Sequence, residues 1–246
     1  FGPCLLTLSQ AGLLDIPAWR AQIDAQIRSG TAALVVAGST GEAAALNDEE
    51  FCQLIELASI RVAGRIPILA GTGQSATAKT IKRTRLAKNC GADIALVVTP
   101  PYVRPTQAGL QAHYTAIAED SEIPLVLYNV PGRTGCDLLP ETVGDLSIHP
   151  NIIGFKEAVG DAARWQHLYP LASPGFALLS GDDPTFVRTM AGGAQGVISV
   201  ASNAVPGVFS RICRLISEGN IVEAGQWNAK LQTLYDFLAI EPNPIP

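Results

Sequence analysis

Lys156 stands at the polar end of an apolar run: Ile152, Ile153, Gly154 and Phe155 precede it and Glu157 follows. The other lysines (Lys79, Lys82, Lys88 and Lys230) fall in segments that read as solvated helix faces or helix ends. An ammonium group is seldom drawn into an apolar strand without a reason, because losing its hydration is costly. The chemical reason would be an amine that gives up its proton and attacks a carbonyl carbon to form a Schiff base. The structural alternative is a lysine at a strand mouth, its stem on apolar surface and its head in water.

Schiff-base chemistry on a keto acid also needs a proton donor for the departing hydroxide and a base for the methyl proton. Other apolar runs end in groups of those kinds. One ends in Gly38-Ser39-Thr40-Gly41-Glu42, another in Tyr128-Asn129-Val130-Pro131-Gly132-Arg133-Thr134-Gly135, a third in Ser180-Gly181-Asp182-Asp183. A tyrosine linked to a hydroxyl such as Thr40 can relay protons both ways. Amides and hydroxyls of a Gly-Ser-Thr-Gly turn can hold a carboxylate, and Arg133 offers a planar fork for a second one. Each stretch alone reads equally well as turn chemistry; their convergence on one face is what would make a site.

That convergence depends on the elements that carry them. Short apolar runs recur at 4–8, 33–37, 66–70, 94–98, 125–130, 152–155, 176–179 and 197–200, with amphipathic stretches between. Continuous apolar blocks suit strands buried on both faces, and hence a parallel sheet. Trp19, Ile23 and Ile27 step by four behind Asp15 as N-cap and Pro17 in the first turn. Phe51, Leu54, Ile55, Ala58 and Val62 make another stripe, opened by Asn47 and Glu50 in capping-box spacing. Leu110, Tyr114 and Ile117 form a third; Phe209, Ile212, Cys213 and Ile216 form a fourth, stopped by Gly219. Eight strand-plus-helix units predict an α/β chain folded as a (β/α)8 TIM barrel, with an open doubly wound sheet as the alternative. Reactive groups of such a barrel gather at the carboxyl ends of its strands. Residues 1–219 are read as the barrel. Residues 220–246 are read as the start of a C-terminal helical extension, with helix near 221–238 and a proline-rich end that looks truncated.

Composition narrows the function. The chain has 246 residues, 48% hydrophobic and only 16% charged, so a large core is available. The low charge implies that subunits cover part of the surface. A net charge of −5 with no basic run argues against nucleic acid or an anionic membrane as partner. No stretch is long and apolar enough to span a bilayer, and the first residues do not form a signal peptide. The five cysteines are scattered with no C-x-x-C pair, which reads as reduced thiols of a cytoplasmic protein. His113, His149 and His167 lack metal-ligand spacing, so no metal is expected. Gly71-Thr72-Gly73-Gln74-Ser75-Ala76 matches a dinucleotide-binding turn, but the acidic candidate, Asp93, precedes the next strand instead of ending it. A loop-and-packing role is the expectation there.

Taken together, the motifs resemble the dihydrodipicolinate synthase family of pyruvate-dependent Schiff-base lyases along nearly the whole chain. The most specific pieces are Gly38 to Glu42, Ala70-Gly71-Thr72-Gly73, Thr99-Pro100-Pro101-Tyr102, Tyr128 to Gly135, Gly154-Phe155-Lys156-Glu157-Ala158, Leu179 to Asp183, Gly196 to Val200 and Glu241 to Pro246. The resemblance implies condensation of pyruvate with L-aspartate 4-semialdehyde, toward diaminopimelate and lysine. It implies an imine on Lys156, with no other cofactor, and proton shuttling by Tyr128 linked through Thr40 to Tyr102. Tyr102 would reach a neighbouring subunit's site within a homo-oligomer, a dimer of dimers. Ser39 and Thr40 would hold the pyruvate carboxylate and Arg133 the aldehyde's carboxylate, with the backbone at Gly181 and Ile198 lining the site.

Departures set further expectations. Ser39 stands where threonine is usual, as also in sugar-acid aldolases such as N-acetylneuraminate lyases; Arg133 and Glu157-Ala158 favour the synthase. Thr7-Leu8 replaces the usual Thr-Pro, and family members usually run on for roughly another 45–50 residues of helix. Positions that bind the feedback inhibitor lysine in regulated members are here Ala43, Asp48, Phe51, Ser75, Lys79 and Pro101. Lys79 replaces a glutamate that would pair with the effector's ammonium, so weak or absent inhibition by lysine is expected. The alternatives are a class I aldolase acting on a sugar acid, and a non-catalytic barrel fragment.

Overall fold

The structure, a computed structural model, describes residues 9–10 and 13–245. A short antiparallel pair, β1 (Ser9–Gln10) and β2 (Leu13–Leu14), comes first. Seven parallel strands follow: β3 (Leu34–Val36), β4 (Ile68–Gly71), β5 (Ile94–Val98), β6 (Leu125–Asn129), β7 (Ile152–Glu157), β8 (Ala177–Ser180) and β9 (Gly196–Val197). They pair in sequence order, β3-β4-β5-β6-β7-β8-β9, without the reversal that defines a doubly wound sheet. Each coincides with a run expected from sequence, except that the last run, 197–200, is strand only at Gly196–Val197 and then turns into a short 3-10 helix at Ala201–Asn203. The expected strand at 4–8 lies outside the described residues.

The helices are α1 (Ile16–Arg28), α2 (Asp48–Val62), α3 (Thr77–Asn89), α4 (Gln107–Asp120), α5 (Pro131–Thr134), α6 (Pro140–Ser147), α7 (Ala162–Leu168), α8 (Phe186–Ala191), α9 (Pro206–Ser217), α10 (Ile221–Ala229) and α11 (Gln232–Leu238). Their ends follow local chemistry. Asp15 accepts from the Ala18 N–H at 3.0 Å to cap α1. Asn47 and Glu50 form a reciprocal capping box on α2 at 2.9 and 3.0 Å. Gly219, at φ +82°, ends the turn after α9. The helical stretch expected over 221–238 is broken into α10 and α11: the Lys230 and Leu231 N–H groups bond three residues back, to Trp227 and Asn228. That turn buries Leu231 and Tyr235 against Phe186, Phe209 and Ile212. The helices after residue 219 thus share a core with α8, α9 and β9.

The sheet is buried on both faces, which explains its uninterrupted apolar runs. Leu34, Val36, Ile68, Ala70, Val97, Leu125, Leu127, Phe155 and Leu178 pack outward into the helix layer. The alternate residues Val35, Leu69, Leu96, Val126, Tyr128, Leu179 and Ile198 gather on the inner face as one cluster. One inner cluster fed from β3 through to β8 and from Ile198, just after β9, requires a sheet that curls, concave side inward.

Candidate active site

All seven strands run the same way, so their carboxyl ends share one edge, and the chemistry-bearing residues collect there. Placement of Lys156 depends on an irregularity in β7. Leu125 pairs with Ile152 but Val126 pairs with Gly154, so Ile153 is an extra residue and the alternation shifts by one. After that bulge Phe155 and Glu157 face the helices, and Lys156 faces inward. Without it Lys156 would point into the helix layer.

Lys156 is buried, 5% exposed, and its Nζ lies 4.0 Å from the centre of the Tyr128 ring on the neighbouring strand, in cation–π geometry. Lys156 and Tyr128 are direct register partners across β6 and β7. Among the described residues no carboxylate comes within ion-pair distance of this amine. Gly181 gives the lysine stem its room: a Cβ there would stand 2.8 Å from Lys156 Cε and 3.1 Å from Ala158 Cβ. The Gly181 N–H donates to the Glu157 carbonyl at 2.7 Å, holding this backbone beside the amine. Ile198 donates its N–H to the Ser180 carbonyl at 2.8 Å and packs its side chain in the inner cluster with Tyr128.

A cavity of about 500 Å³ opens at the same edge, with Ser39, Gln74, Leu96, Tyr128, Val130 and Arg133 in its wall. Lys156 does not reach that wall; its amine lies against the tyrosine ring that does. Of the two adjacent hydroxyl residues, Ser39 faces the cavity, while Thr40 is buried and makes no hydrogen bond to either tyrosine. Arg133 comes from α5, a single turn opened by Pro131 and closed by Gly135 at φ +68°. Tyr102 behaves differently from the rest. It is 91% exposed and held at φ +74°, with its N–H donating to the Thr134 carbonyl at 3.0 Å. A positive φ is costly for a bulky residue. The structure therefore brings Lys156, Tyr128, Gly181 and Ile198 together, adds Ser39 and Arg133 across the cavity, and turns Tyr102 away from its own chain's site.

Sequence reasoning missed the layer behind this edge. Glu157 is fully buried and accepts from Arg164 Nε at 2.5 Å, from the Val159 N–H at 2.8 Å and from Asn129 Nδ2 at 3.2 Å. Burial pushes its carboxyl upward in pKa, while the Arg164 guanidinium and these donors pull the other way. The available signal was an acid immediately after Lys156, in the phase that a strand turns toward its helices.

The glycines of the would-be dinucleotide turn serve packing, as expected. A Cβ on Gly71 would fall 2.0 Å from the Ala37 carbonyl oxygen, and one on Gly73 would meet Val98 at 2.7 Å. Asp93 instead accepts from the Ile68 N–H at 2.8 Å. Among the described residues no group of His, Cys, Asp or Glu could hold a metal ion, and no helix is long and apolar enough to cross a membrane.

A parallel α/β sheet with a buried amine and phenol at its carboxyl edge defines the class: an enzyme fold carrying a lysine-centred site. Comparison with known proteins is specific. The profile of the dihydrodipicolinate synthetase family matches residues 1–246, and the chain belongs to that family. It is 56% identical over 235 residues to the 4-hydroxy-tetrahydrodipicolinate synthase of Xanthomonas axonopodis pv. citri, covering 96% of this chain and 78% of that one. It is 55% identical to the synthase of Stenotrophomonas maltophilia, again over 96% of this chain and 79% of the relative. The structure of the chloride-inhibited dihydrodipicolinate synthase from Acinetobacter baumannii, solved with pyruvate, superposes with a TM-score of 0.95 at 42% identity; the match covers 100% of this chain and 84% of that one.

Proposed function

We propose that this chain is a Schiff-base lyase that condenses pyruvate with L-aspartate 4-semialdehyde to give 4-hydroxy-tetrahydrodipicolinate, on the route to diaminopimelate and lysine. The observation that carries this reading is the buried Lys156 amine set against the Tyr128 phenol at the carboxyl edge of the sheet. The neutral amine adds to the keto carbon of pyruvate, and the carbinolamine loses water once a proton reaches its hydroxyl. Loss of a methyl proton leaves an enamine, whose carbon attacks the aldehyde of the second substrate; the amino group of that substrate then displaces the Lys156 nitrogen from the imine, closing the ring and freeing the lysine. The imine is carried by Lys156 itself, so no other cofactor is required.

Tyr128 is the proton carrier in this scheme, since its phenol ring lies against the amine at 4.0 Å. Ser39 and Thr40 hold the pyruvate carboxylate, with Ser39 the better placed on the cavity wall. Thr40, which bonds neither tyrosine within one chain, links Tyr128 to Tyr102 only once a neighbouring chain supplies that tyrosine. Arg133 receives the carboxylate of the aldehyde. The backbone at Gly181 and Ile198 lines the site. Exposure and backbone strain at Tyr102 support its service in a neighbouring subunit, within a dimer or a dimer of dimers. The chain is read as a cytoplasmic enzyme. Its fold is read as a (β/α)8 barrel over 1–219, with the helical extension beginning at 220.

Arg133 on the cavity wall favours the synthase over a sugar-acid aldolase, because a guanidinium there offers a planar fork to a second carboxylate, which the aldehyde substrate carries. Purified protein given pyruvate and L-aspartate 4-semialdehyde should consume both. Cleavage of N-acetylneuraminate or a keto-deoxy sugar acid, with no turnover of the semialdehyde, would overturn the assignment.

A further inference from the structure

The strand pair that presents Lys156 and Tyr128 inward presents Glu157 and Asn129 outward, at the next register position. These two outward residues form the centre of a polar cluster in otherwise apolar surroundings. Glu157 holds Arg164 Nε at 2.5 Å, and Asn129 Nδ2 reaches Glu157 at 3.2 Å. Arg164 also bonds Asp137 Oδ2 through Nη1 at 3.1 Å and the Leu138 carbonyl through Nη2. Asn129 donates to Asp137 Oδ1 at 2.7 Å and accepts from the Leu138 N–H at 2.9 Å. The cluster therefore has two ends. One grips β7 immediately after Lys156, and the other grips the chain just beyond the Arg133 turn.

We propose that Glu157, Arg164, Asn129 and Asp137 are positioning residues for the two halves of the reaction: Glu157 fixes the imine-forming lysine, and Asp137 fixes the turn that brings Arg133 to the second substrate. This rests on the function proposed above. Glu157 and Lys156 are adjacent in one strand, so rotating or sliding the strand end moves both. Glu157 accepts three kinds of donor at once, which stops that motion. An apolar residue at 157 would fill the same space between sheet and helices but would leave the strand end free to turn. Asp137 touches neither Lys156 nor Tyr128. Its two oxygens tie the descending limb of the Arg133 loop to the same guanidinium and amide.

Two conservative variants separate the roles. Glu157→Gln keeps shape but sets an amide N–H against donors already present. Asp137→Asn weakens the loop end while leaving the Glu157–Arg164 contact. Pyruvate trapping with borohydride reports imine formation alone; steady-state turnover reports the second substrate. A lysine misplaced by about 1 Å costs on the order of 100-fold in rate, so Glu157→Gln should slow trapping by about 10-fold or more. Asp137→Asn should trap pyruvate at the wild-type rate and raise KM for L-aspartate 4-semialdehyde several-fold. Circular dichroism and melting temperature, measured alongside, give the folded fraction. Trapping at the wild-type rate by folded Glu157→Gln would overturn the inference, as would equal losses in both assays for both variants that track the folded fraction. Failure of the wild-type protein to trap pyruvate on Lys156 would instead overturn the function on which the inference rests.

Discussion

Lys156 and Tyr128 meet across neighbouring strands, the amine 4.0 Å from the centre of the phenol ring. The ring faces the amine, and the Tyr128 hydroxyl makes no hydrogen bond among the described residues. The two properties can be parted. Tyr128→Phe keeps the ring under the amine and removes the proton. General acid–base catalysis contributes about 100- to 10,000-fold, so kcat should fall within that range while KM for pyruvate changes little. The melting temperature should stay within a degree or two, because no hydrogen bond is lost. Retention of wild-type kcat in a stopped-flow or coupled assay would remove Tyr128 from the reaction.

Gly181 offers a test of spacing. A methyl at this position would stand 2.8 Å from Lys156 Cε, the far end of a flexible side chain. The lysine can move aside, but Ala158, whose Cβ would lie 3.1 Å away, must shift as well, and the lysine nitrogen is then misplaced. Gly181→Ala should melt somewhat below the wild type and, in its folded fraction, lose about 100-fold in rate, the usual toll of a displacement near 1 Å. A variant that is fully active would show that the lysine is not held by its neighbour's lack of a side chain.

Lysine should not regulate this protein effectively. At the positions that the family resemblance assigns to the effector, Asp48 is paired with Arg83 at 2.6 Å and Lys82 at 3.4 Å. Phe51 is buried with the Arg83 guanidinium 3.8 Å over its ring. Exposed Lys79 carries the same charge as the effector's ammonium. A titration of activity with L-lysine should show no half-loss in the sub-millimolar range; such a half-loss would contradict the reading.

Acid should destabilise the fold through His113. The ring is buried, its Nδ1 lies 2.9 Å from Thr77 Oγ1, and its Nε2 has no partner among the described residues. Burial depresses its pKa to about 4, from an ordinary 6.5. Between those values the unfolded chain binds a proton that the folded chain refuses, so stability falls as pH falls through that window. His113→Gln cannot titrate and should lose less melting temperature between about pH 7 and about pH 4.5 than the wild type. Equal losses would show that other groups govern the acid limb.

Much of this was legible before the structure. Strands buried on both faces leave continuous apolar runs, so β3 to β8 coincide with stretches such as 94–98 and 125–130. Asn47 and Glu50 announced the start of α2 because a capping box is a local arrangement. What could not be read depends on distant partners or on phase. The bulge opposite Leu125 and Val126 turns Lys156 inward, and no residue type in 152–155 declares it. Arg164 meets Glu157 and Asp137 only after the chain has folded back. Which of Ser39 and Thr40 faces the cavity is decided by the course of the turn. The division of 221–238 into two helices follows from the burial of Leu231 and Tyr235 in a core formed by α8 and α9.

The most direct test is reductive trapping. Folded protein incubated with pyruvate and borohydride, then digested and mapped by mass spectrometry, should carry one pyruvate-derived adduct on the peptide containing Lys156, and Lys156→Arg should carry none. An intact, folded sample that remains unlabelled, or that is labelled only at Lys79, Lys82, Lys88 or Lys230, would contradict the mechanism.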